Sequence, residues 1–332
     1  MARRPPARAL TISAAAAAAA TAVALEVRHL RRLARDSDYA TLSAPLSGRP
    51  TSVTSPDGTR LHVELFGPDD GPTIVLAHGW TEQLALWGPV IKLLIADGRR
   101  VAAYDLRGHG ASGPARDRDY SLERFGEDLE AVLASVTPAG ELATVAGHSL
   151  GAMSIAAWAE HHEVADHARA AALINTGLGD LIAGHLLFGE LVKRLESPAL
   201  SRLVLGSRTR IPPFSSPLQL ALIRHAAFGP TATAGQVAFY ERMLITTEPD
   251  ARAAAGVALT DMDLWHAVAR LTVPTLVVAG ERDRLTPPAH ARRIAETLPE
   301  LVGLIELPET GHMGPLERPQ EIASALLSLS AP

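Results

Sequence analysis

Cysteine is absent from the 332-residue chain. That excludes disulfide scaffolds, thiolate zinc sites, thiol nucleophiles and Cys-ligated iron–sulfur clusters. A chain without thiols is also indifferent to redox compartment, so cysteine usage says nothing about where it works. Lysine is nearly missing: Lys92 and Lys193 stand alone, and arginine carries the remaining positive charge, a mark of codon usage and not of function. An excess of positive charge is lacking too. A net charge of −5 with a pI near 6.2 leaves no basic face for nucleic acid, which is excluded as a partner. No internal repeat runs through the chain, and low complexity is confined to the N-terminus. What is present is a large apolar complement, 47% against 20% charged residues. That is enough for a sizeable core and excludes global disorder. The length exceeds an average domain, but α/β folds often run this long as one unit.

Residues 1–50 read separately from the rest. Arg3, Arg4 and Arg8 precede an uncharged run from Ala9 to Leu25, and Glu26 and the basic cluster Arg28, Arg31, Arg32 and Arg35 follow it. The run sits at the lower limit of about 17 residues for a bilayer-spanning helix. Its centre, Ala14–Ala20, drives insertion far less than leucine would. Three readings stay open. One is an uncleaved single-pass anchor through residues 9–25. Another is an alanine-rich soluble helix running to about Arg35, supported by the helix propensity of alanine. The third is a cleaved secretory signal, which the basic cluster just behind the run opposes. The flanking charges barely discriminate orientation and favour a cytoplasmic catalytic part, membrane-associated or soluble. Asp36 to Pro50, rich in Ser, Thr, Gly and Pro, reads as a linker.

From Thr51 onwards strands and helices alternate. Thr51–Thr54 and Leu61–Phe66 flank Ser55-Pro56-Asp57-Gly58, a strand pair around a turn. Continuous apolar runs at Thr73–Ala77, Arg100–Tyr104, Leu142–Ala146, Ala170–Ile174, Thr275–Ala279 and Leu301–Leu307 predict strands covered on both faces. Helical patterns lie between them at Leu84–Ala96, Leu122–Ser135, Ala152–Glu160 and His290–Thr297. This alternation predicts a mostly parallel sheet with helices on both faces, an α/β fold. Residues 177–268 break the rhythm, showing only helical patches at Glu190–Leu195, Leu218–Ala227 and Val237–Leu244. An interval of that size is too long for a loop and predicts a helical cap. The expected organisation is therefore a core from residues 51–176 and 269–332 with a cap from 177–268.

Ligands of such sheets bind at the carboxyl ends of the strands, so the residues after each strand matter most. Gly147-His148-Ser149-Leu150-Gly151 lies between a strand and a helix. This is G-x-S-x-G in the strand–turn–helix setting of a nucleophile elbow, where the glycines permit a tight turn and the helix N-terminus faces developing negative charge. His78-Gly79-Trp80 follows the Thr73–Ala77 strand. The N–H groups of Leu150 and Trp80 are the two donors expected to converge as an oxyanion hole. Asp283, in Gly280-Glu281-Arg282-Asp283, follows the Thr275–Ala279 strand and suits a carboxylate that orients a histidine, with Glu281, Asp180, Asp261 and Asp263 as competitors. His312 follows the last strand and comes after the acid. It is the one of 13 histidines so placed, and its ordinary pKa suits proton shuttling near neutrality. The order Ser149, Asp283, His312 is that of a Ser…Asp…His triad on this architecture.

On these motifs the chain, from Thr51 to Leu329, resembles the α/β-hydrolase family. Asp105-Leu106-Arg107-Gly108-His109-Gly110-Ala111-Ser112 is similar to the D-x-R-G-x-G-x-S loop of its epoxide-hydrolase and haloperoxidase-like branches, where a structural role for Asp105 and Arg107 is expected. Epoxide hydrolases and haloalkane dehalogenases of the family carry Asp at the elbow. Ser149 stands there in this chain, which implies acyl chemistry. The H-G-G-G oxyanion motif of the hormone-sensitive-lipase-like branch is missing, because Trp80 and Thr81 follow His78-Gly79. The resemblance implies a serine hydrolase of an apolar or lipid-like carboxylic ester that needs no metal or organic cofactor. Alternatives with the same triad are a C–C hydrolase, a thioesterase or a perhydrolase. A non-catalytic ligand-binding module is the outlying third class.

Other clusters read as structural. Glu160, His161, His162, Glu163, Asp166 and His167 alternate charge as a solvated face does and lack a metal-ligand spacing. His148 and His109 read as satisfied loop groups. Trp80, Trp87, Met153, Trp158, Trp265 and Met313 read as core or pocket wall. Leu181-Ile182, Leu186-Leu187-Phe188, Leu203-Val204-Leu205 and Phe239-Tyr240 are the cap residues expected to line a pocket. Oligomeric state is not readable. If residues 9–25 are an anchor, the full chain partitions with membranes on fractionation and a version lacking the N-terminal segment does not; identical soluble behaviour of the two rejects the anchor.

Overall fold

The apolar runs build one sheet. The computed structural model describes residues 20, 21, 23, 24, 27, 28, 31–33, 35–181, 198–212 and 215–330. Eight strands, β1 Arg49–Thr54, β2 Arg60–Phe66, β3 Thr73–Ala77, β4 Arg100–Tyr104, β5 Ala143–His148, β6 Ala168–Ile174, β7 Thr275–Gly280 and β8 Leu301–Leu307, lie in the order β1-β2-β4-β3-β5-β6-β7-β8. β1–β2 and β2–β4 are antiparallel and every other pair is parallel. The mostly parallel sheet expected from the alternation is the one observed. β3, β5 and β7 are buried along their whole length, which is why their sequences are continuously apolar and not alternating.

Helices cover both faces. α1 is Ser37–Leu42, α2 Gly88–Ala96, α3 Leu122–Val136 and α4 Leu150–His161. Between β6 and β7 the described residues hold α5 Pro198–Leu205, α6 Pro217–Ala227, α7 Ala234–Thr246, α8 Pro249–Ala258 and α9 Trp265–Val268. α10 Pro288–Thr297, α11 Gly314–Glu317 and α12 Pro319–Leu329 complete the fold. One core layer, with Val75, Val145, Leu129, Ile155 and Ile294, lies between the sheet and α3, α4 and α10. The other, with Ile74, Leu76, Ile91, Ile322 and Leu326, lies under α2 and α12. Burying such side chains is worth about 1.5–3 kcal/mol each.

Several boundaries differ from the sequence expectation, each for a local reason. Leu84–Ala96 is not one helix: a 3₁₀ turn at Leu84–Trp87 leads into α2 at Gly88. Pro89 sits in the first turn of α2, where its missing N–H costs nothing. β5 runs two residues beyond Ala146, because Gly147 pairs with Ala77 and His148 with Ile174. α4 and α10 start at Leu150 and Pro288, ahead of the expected Ala152 and His290. In the stretch read as a linker, Asp36 Oδ1 accepts the N–H groups of Asp38 and Tyr39 at 3.0 Å and caps α1. Tyr39, Leu42 and Leu46 then pack onto the apolar layer, with α1 against α7. A truncation that leaves the fold whole therefore begins before Asp36. In the 177–268 interval, Leu218–Ala227 and Val237–Leu244 fall in α6 and α7, whereas α5, α8 and α9 were not expected. Glu190–Leu195 and Leu186-Leu187-Phe188 lie outside the described residues. So does the 9–25 run, apart from residues 20, 21, 23 and 24. Among the described residues no helix is long and apolar enough to cross a membrane.

The Arg107 side chain is fully buried. Its Nε and Nη2 donate to Asp128 of α3 at 2.7 and 2.6 Å, and its Nη1 donates to Asp57 in the β1–β2 turn at 2.9 Å and to the Asp119 carbonyl at 3.0 Å. The structural role expected for this residue is what these bonds show. Removing the guanidinium leaves the Asp128 carboxylate buried without a charged partner, at a cost of about 3–5 kcal/mol. Arg107→Met is expected to lose that much on denaturant unfolding; an unchanged midpoint contradicts the clamp.

Candidate active site

Ser149 stands between β5 and α4 at φ 51°, ψ −115°, a region that costs a non-glycine residue about 1–3 kcal/mol. The surroundings impose it. The Ser149 N–H donates to the Ile174 carbonyl at 3.0 Å. The Ser149 carbonyl accepts from Thr176 Oγ1 at 3.0 Å and from the N–H of Ala152 at 3.0 Å. Both flanking glycines are needed for space. A Cβ on Gly147 would meet the Gly151 and Ala152 backbone, and one on Gly151 would meet the carbonyls of Ala77 and His78. The turn is tight because β3 and α4 leave no room for a side chain on either side of the serine.

The loop after β3 lies against this turn: a Cβ on Gly79 would sit 3.0 Å from that of Ser149. Leu150 opens α4, so its N–H is one of the four helix donors without an intrahelical acceptor. Trp80 is fixed by its indole N–H, which donates to the Arg252 carbonyl at 2.9 Å. Thr81, at φ 61°, donates its N–H to His109 Nε2 at 3.3 Å and pairs through Oγ1 with the Tyr240 hydroxyl at 3.0 Å.

His312 and Asp283 meet. His312 Nδ1 lies 2.8 Å from Asp283 Oδ2, and the His312 N–H donates to the Ala227 carbonyl at the end of α6 at 2.8 Å. Asp283 is further held by the N–H groups of Leu285 and Thr286 at 2.9 Å, by Thr286 Oγ1 at 2.8 Å and by Asn175 Nδ2 at 3.0 Å. Burial pushes its carboxyl up, but the His312 imidazole and these donors outweigh burial and hold it below the usual range. The competing acids Glu281, Asp180, Asp261 and Asp263 are exposed.

Ser149 and His312 both line a cavity of about 280 Å³. Its far wall comes from the helices between β6 and β7, through Val204, Leu205, Leu222, Ile223, Tyr240 and Leu244. Leu181, Trp80, Met153 and Met313 also line it, whereas Trp87 and Trp158 are core and Phe239 is buried away from it. The Glu160–His167 cluster is divided: His162 and His167 face Glu130 at 3.7 and 3.2 Å, and Glu160 meets His266 at 2.8 Å. Tyr240 lines the cavity as the sequence led one to expect, whereas Asn175, Thr286 and Glu82 were missed. The Asp283-x-x-Thr286 spacing is a recognisable turn signal. Asn175, at φ 46° directly after β6, is a residue type that tolerates that conformation.

Comparison with known proteins agrees with this fold. The profile described as alpha/beta hydrolase fold matches residues 72–319. "Putative carbamate hydrolase RutD" of Variovorax paradoxus is 31% identical over 76% of this chain and 89% of its own length. "Pimeloyl-[acyl-carrier protein] methyl ester esterase" of Chromobacterium violaceum is 29% identical over 80% of this chain and 96% of its own. "Probable oxidoreductase EphD" of Mycobacterium tuberculosis is 39% identical over 31% of this chain, but the chain spans only 17% of that protein. Among solved structures, an esterase from Exiguobacterium antarcticum superposes with a TM-score of 0.71 at 19% identity, over 85% of this chain and 99% of that one.

The packing around the elbow sets a clear test. Gly151→Ala is expected to lower stability by about 3 kcal/mol or more through overpacking. Gly303→Ala, where an added Cβ meets only Leu276 Cδ1 at 3.7 Å, is expected to stay near wild type. Equal thermal midpoints for the two variants contradict the close approach.

Proposed function

The chain belongs to the α/β-hydrolase fold family; from that premise we propose that it is a hydrolase that cleaves carboxylic esters through an acyl-enzyme on Ser149. One observation carries the reading: Ser149 and His312 line the same apolar cavity while His312 Nδ1 sits 2.8 Å from the buried Asp283. With Nδ1–H donated to Asp283, Nε2 is the unprotonated nitrogen and serves as general base. It removes the Ser149 proton as Oγ attacks the ester carbonyl. The N–H groups of Leu150 and Trp80 hold the oxyanion of the tetrahedral intermediate, and Asp283 stabilises the imidazolium. His312 then protonates the leaving alcohol, and water repeats the sequence to release the acid. Asp283, held below the usual carboxylate range, stays ionised across the working pH of such a base.

In this reading the helices between β6 and β7 form a cap, and their apolar side chains select an uncharged acyl or alcohol group. A carbamate, the substrate class in the name of the Variovorax relative, presents a comparable carbonyl to Ser149. A substrate panel therefore includes a carbamate, a thioester, and acetate with peroxide beside simple esters, and product analysis separates these chemistries.

Ser149→Ala is expected to lose on the order of 10⁴-fold or more in ester turnover. A fluorophosphonate probe is expected to label wild type on Ser149, located by peptide mass spectrometry, and to leave the alanine variant unlabelled. Unchanged turnover in Ser149→Ala, or no labelling of folded wild type, rejects the triad.

A further inference from the structure

Three histidines are fully buried near the site, and two of them are matched as neutral rings. His78 Nδ1 donates to the Gly79 carbonyl at 2.8 Å, and its Nε2 accepts the Leu106 N–H at 2.9 Å. His109 Nδ1 donates to the Arg107 carbonyl at 2.9 Å, and its Nε2 accepts the Thr81 N–H at 3.3 Å. Each has one donor nitrogen and one acceptor nitrogen, as a neutral imidazole requires. His148 is different. Its Nδ1 lies 3.0 Å from Glu82 Oε2 and its Nε2 lies 2.8 Å from the His312 carbonyl oxygen. Both partners are acceptors. A neutral ring beside an ionised Glu82 has one proton for two such contacts, and the other becomes a collision of lone pairs. Satisfying both contacts takes one more proton, on the imidazole or on Glu82. Burial opposes charge on His148, but the Glu82 carboxylate and the His312 carbonyl outweigh it, so the ring's pKa is raised.

The location gives this pair a consequence. Glu82 Oε2 also accepts the Gly79 N–H, in the loop that presents Trp80. His148 precedes Ser149 and stacks obliquely on the His312 ring, with centroids 4.9 Å apart. We propose that Glu82 and His148 are positioning residues: a buried pair sharing one proton that holds the Gly79–Trp80 loop and the His312 loop in register around Ser149. Loss of the proton as pH rises turns one contact repulsive and moves one of the two loops. Displacements of that kind near reacting groups cost on the order of 10- to 100-fold. The charged or titratable groups facing His148 are Glu82, His78 and Asp283 with His312. His78 is itself held neutral by burial.

Glu82→Gln separates positioning from bulk stability. Both contacts converge on one oxygen, so an amide oxygen there can still accept from Gly79 and from His148 Nδ1. The neutral ring then turns a lone pair on the His312 carbonyl. The proposal rests on the ester-hydrolase reading, so the test has one readout that does not. In ¹⁵N-histidine NMR of the full wild-type chain, with His148 assigned through a His148→Asn variant, His148 is expected to show both ring nitrogens protonated or sharing a proton at neutral pH. The shared signal is expected to disappear at high pH. For turnover of a p-nitrophenyl ester, Glu82→Gln is expected to lose 10- to 100-fold in kcat with KM within about twofold. Its alkaline limb is expected to move to lower pH. A wild-type His148 at neutral pH that is singly protonated and shares no proton with Glu82 overturns the proposal, as does a folded Glu82→Gln with wild-type kcat and pH profile. If Ser149 neither labels nor turns over, the hydrolase reading fails and the NMR result still judges the pair.

Discussion

The pairing of β3 with β5 at the centre of the sheet is the constraint on which the candidate site depends. Ala77 faces Gly147 across that pair, so the chain leaves two neighbouring strands at adjacent points on the same edge. The β3 exit supplies His78, Gly79 and Trp80, and the β5 exit supplies His148, Ser149 and Leu150. The strand order places β4 on one side of β3 and β5 on the other, the reversal at which open α/β sheets bind ligands. From this single adjacency follow the glycines, the strained serine and the nearness of two backbone donors. β6 and β7, next in order, bring Asn175 and Asp283 to the same edge, and β8 brings His312. No long-range side-chain contact is needed to gather these residues; the parallel register gathers them.

Most polar groups buried at this edge are paired by the loops, Asn175 Oδ1 being an exception, and that pairing is what makes the strain tolerable. Ser149 and Thr81 both hold positive φ; Ser149 is fixed through its N–H and carbonyl, and Thr81 through its N–H and hydroxyl. Asp283 accepts from three different segments, so its position is over-determined before any substrate arrives. Glu317 does similar work beneath His312, accepting the N–H groups of Gly229 at 2.8 Å and Gly311 at 3.0 Å. An unpaired group at any of these points would cost about 1–3 kcal/mol.

The inner strands were legible because burial on both faces leaves a run of Val, Ile, Leu and Ala with no helical period, and their bounds came out within a few residues; β8, expected to be covered on both faces, is instead an edge strand largely open to solvent. The elbow was legible because steric crowding admits only glycine beside Ser149, which writes a pattern into the sequence. Asp283 and His312 were readable from their place after β7 and β8. Asn175, Thr286 and Glu82 were not, and neither was the bond that Tyr240, expected in the cavity wall, makes to Thr81. Their value lies in contacts with partners far along the chain, and no local period records such a pairing. The interval between β6 and β7 was readable only as helical. Its helices pack against loops and each other through small and apolar residues, so neither strand alternation nor a strong amphipathic stripe marks them. α1 was hidden by the small polar composition of Asp36–Pro50, although its Asp36 cap is a signal that composition obscured.

On the proposed reading, substrate selection and chemistry are joined in this fold by short polar links, not by shared apolar packing alone. The carbonyl of Ala227, last residue of α6, receives the His312 N–H. The indole of Trp80 donates to Arg252 of α8, and Tyr240 of α7 bonds Thr81. Three helices that wall the cavity or stand behind it are thus each tied to a loop that carries a proposed catalytic group. A ligand that displaces α6 moves the backbone of His312 with it, and one that displaces α7 or α8 moves the loop that presents the Trp80 N–H. Filling the cavity well and placing the carbonyl well then become one geometric condition, because a cavity wall out of place carries a proposed donor or base out of place as well. This is how an almost wholly apolar cavity, with few groups to bond a substrate's polar atoms, can still discriminate among substrates: through the positions its filling imposes on Trp80 and His312.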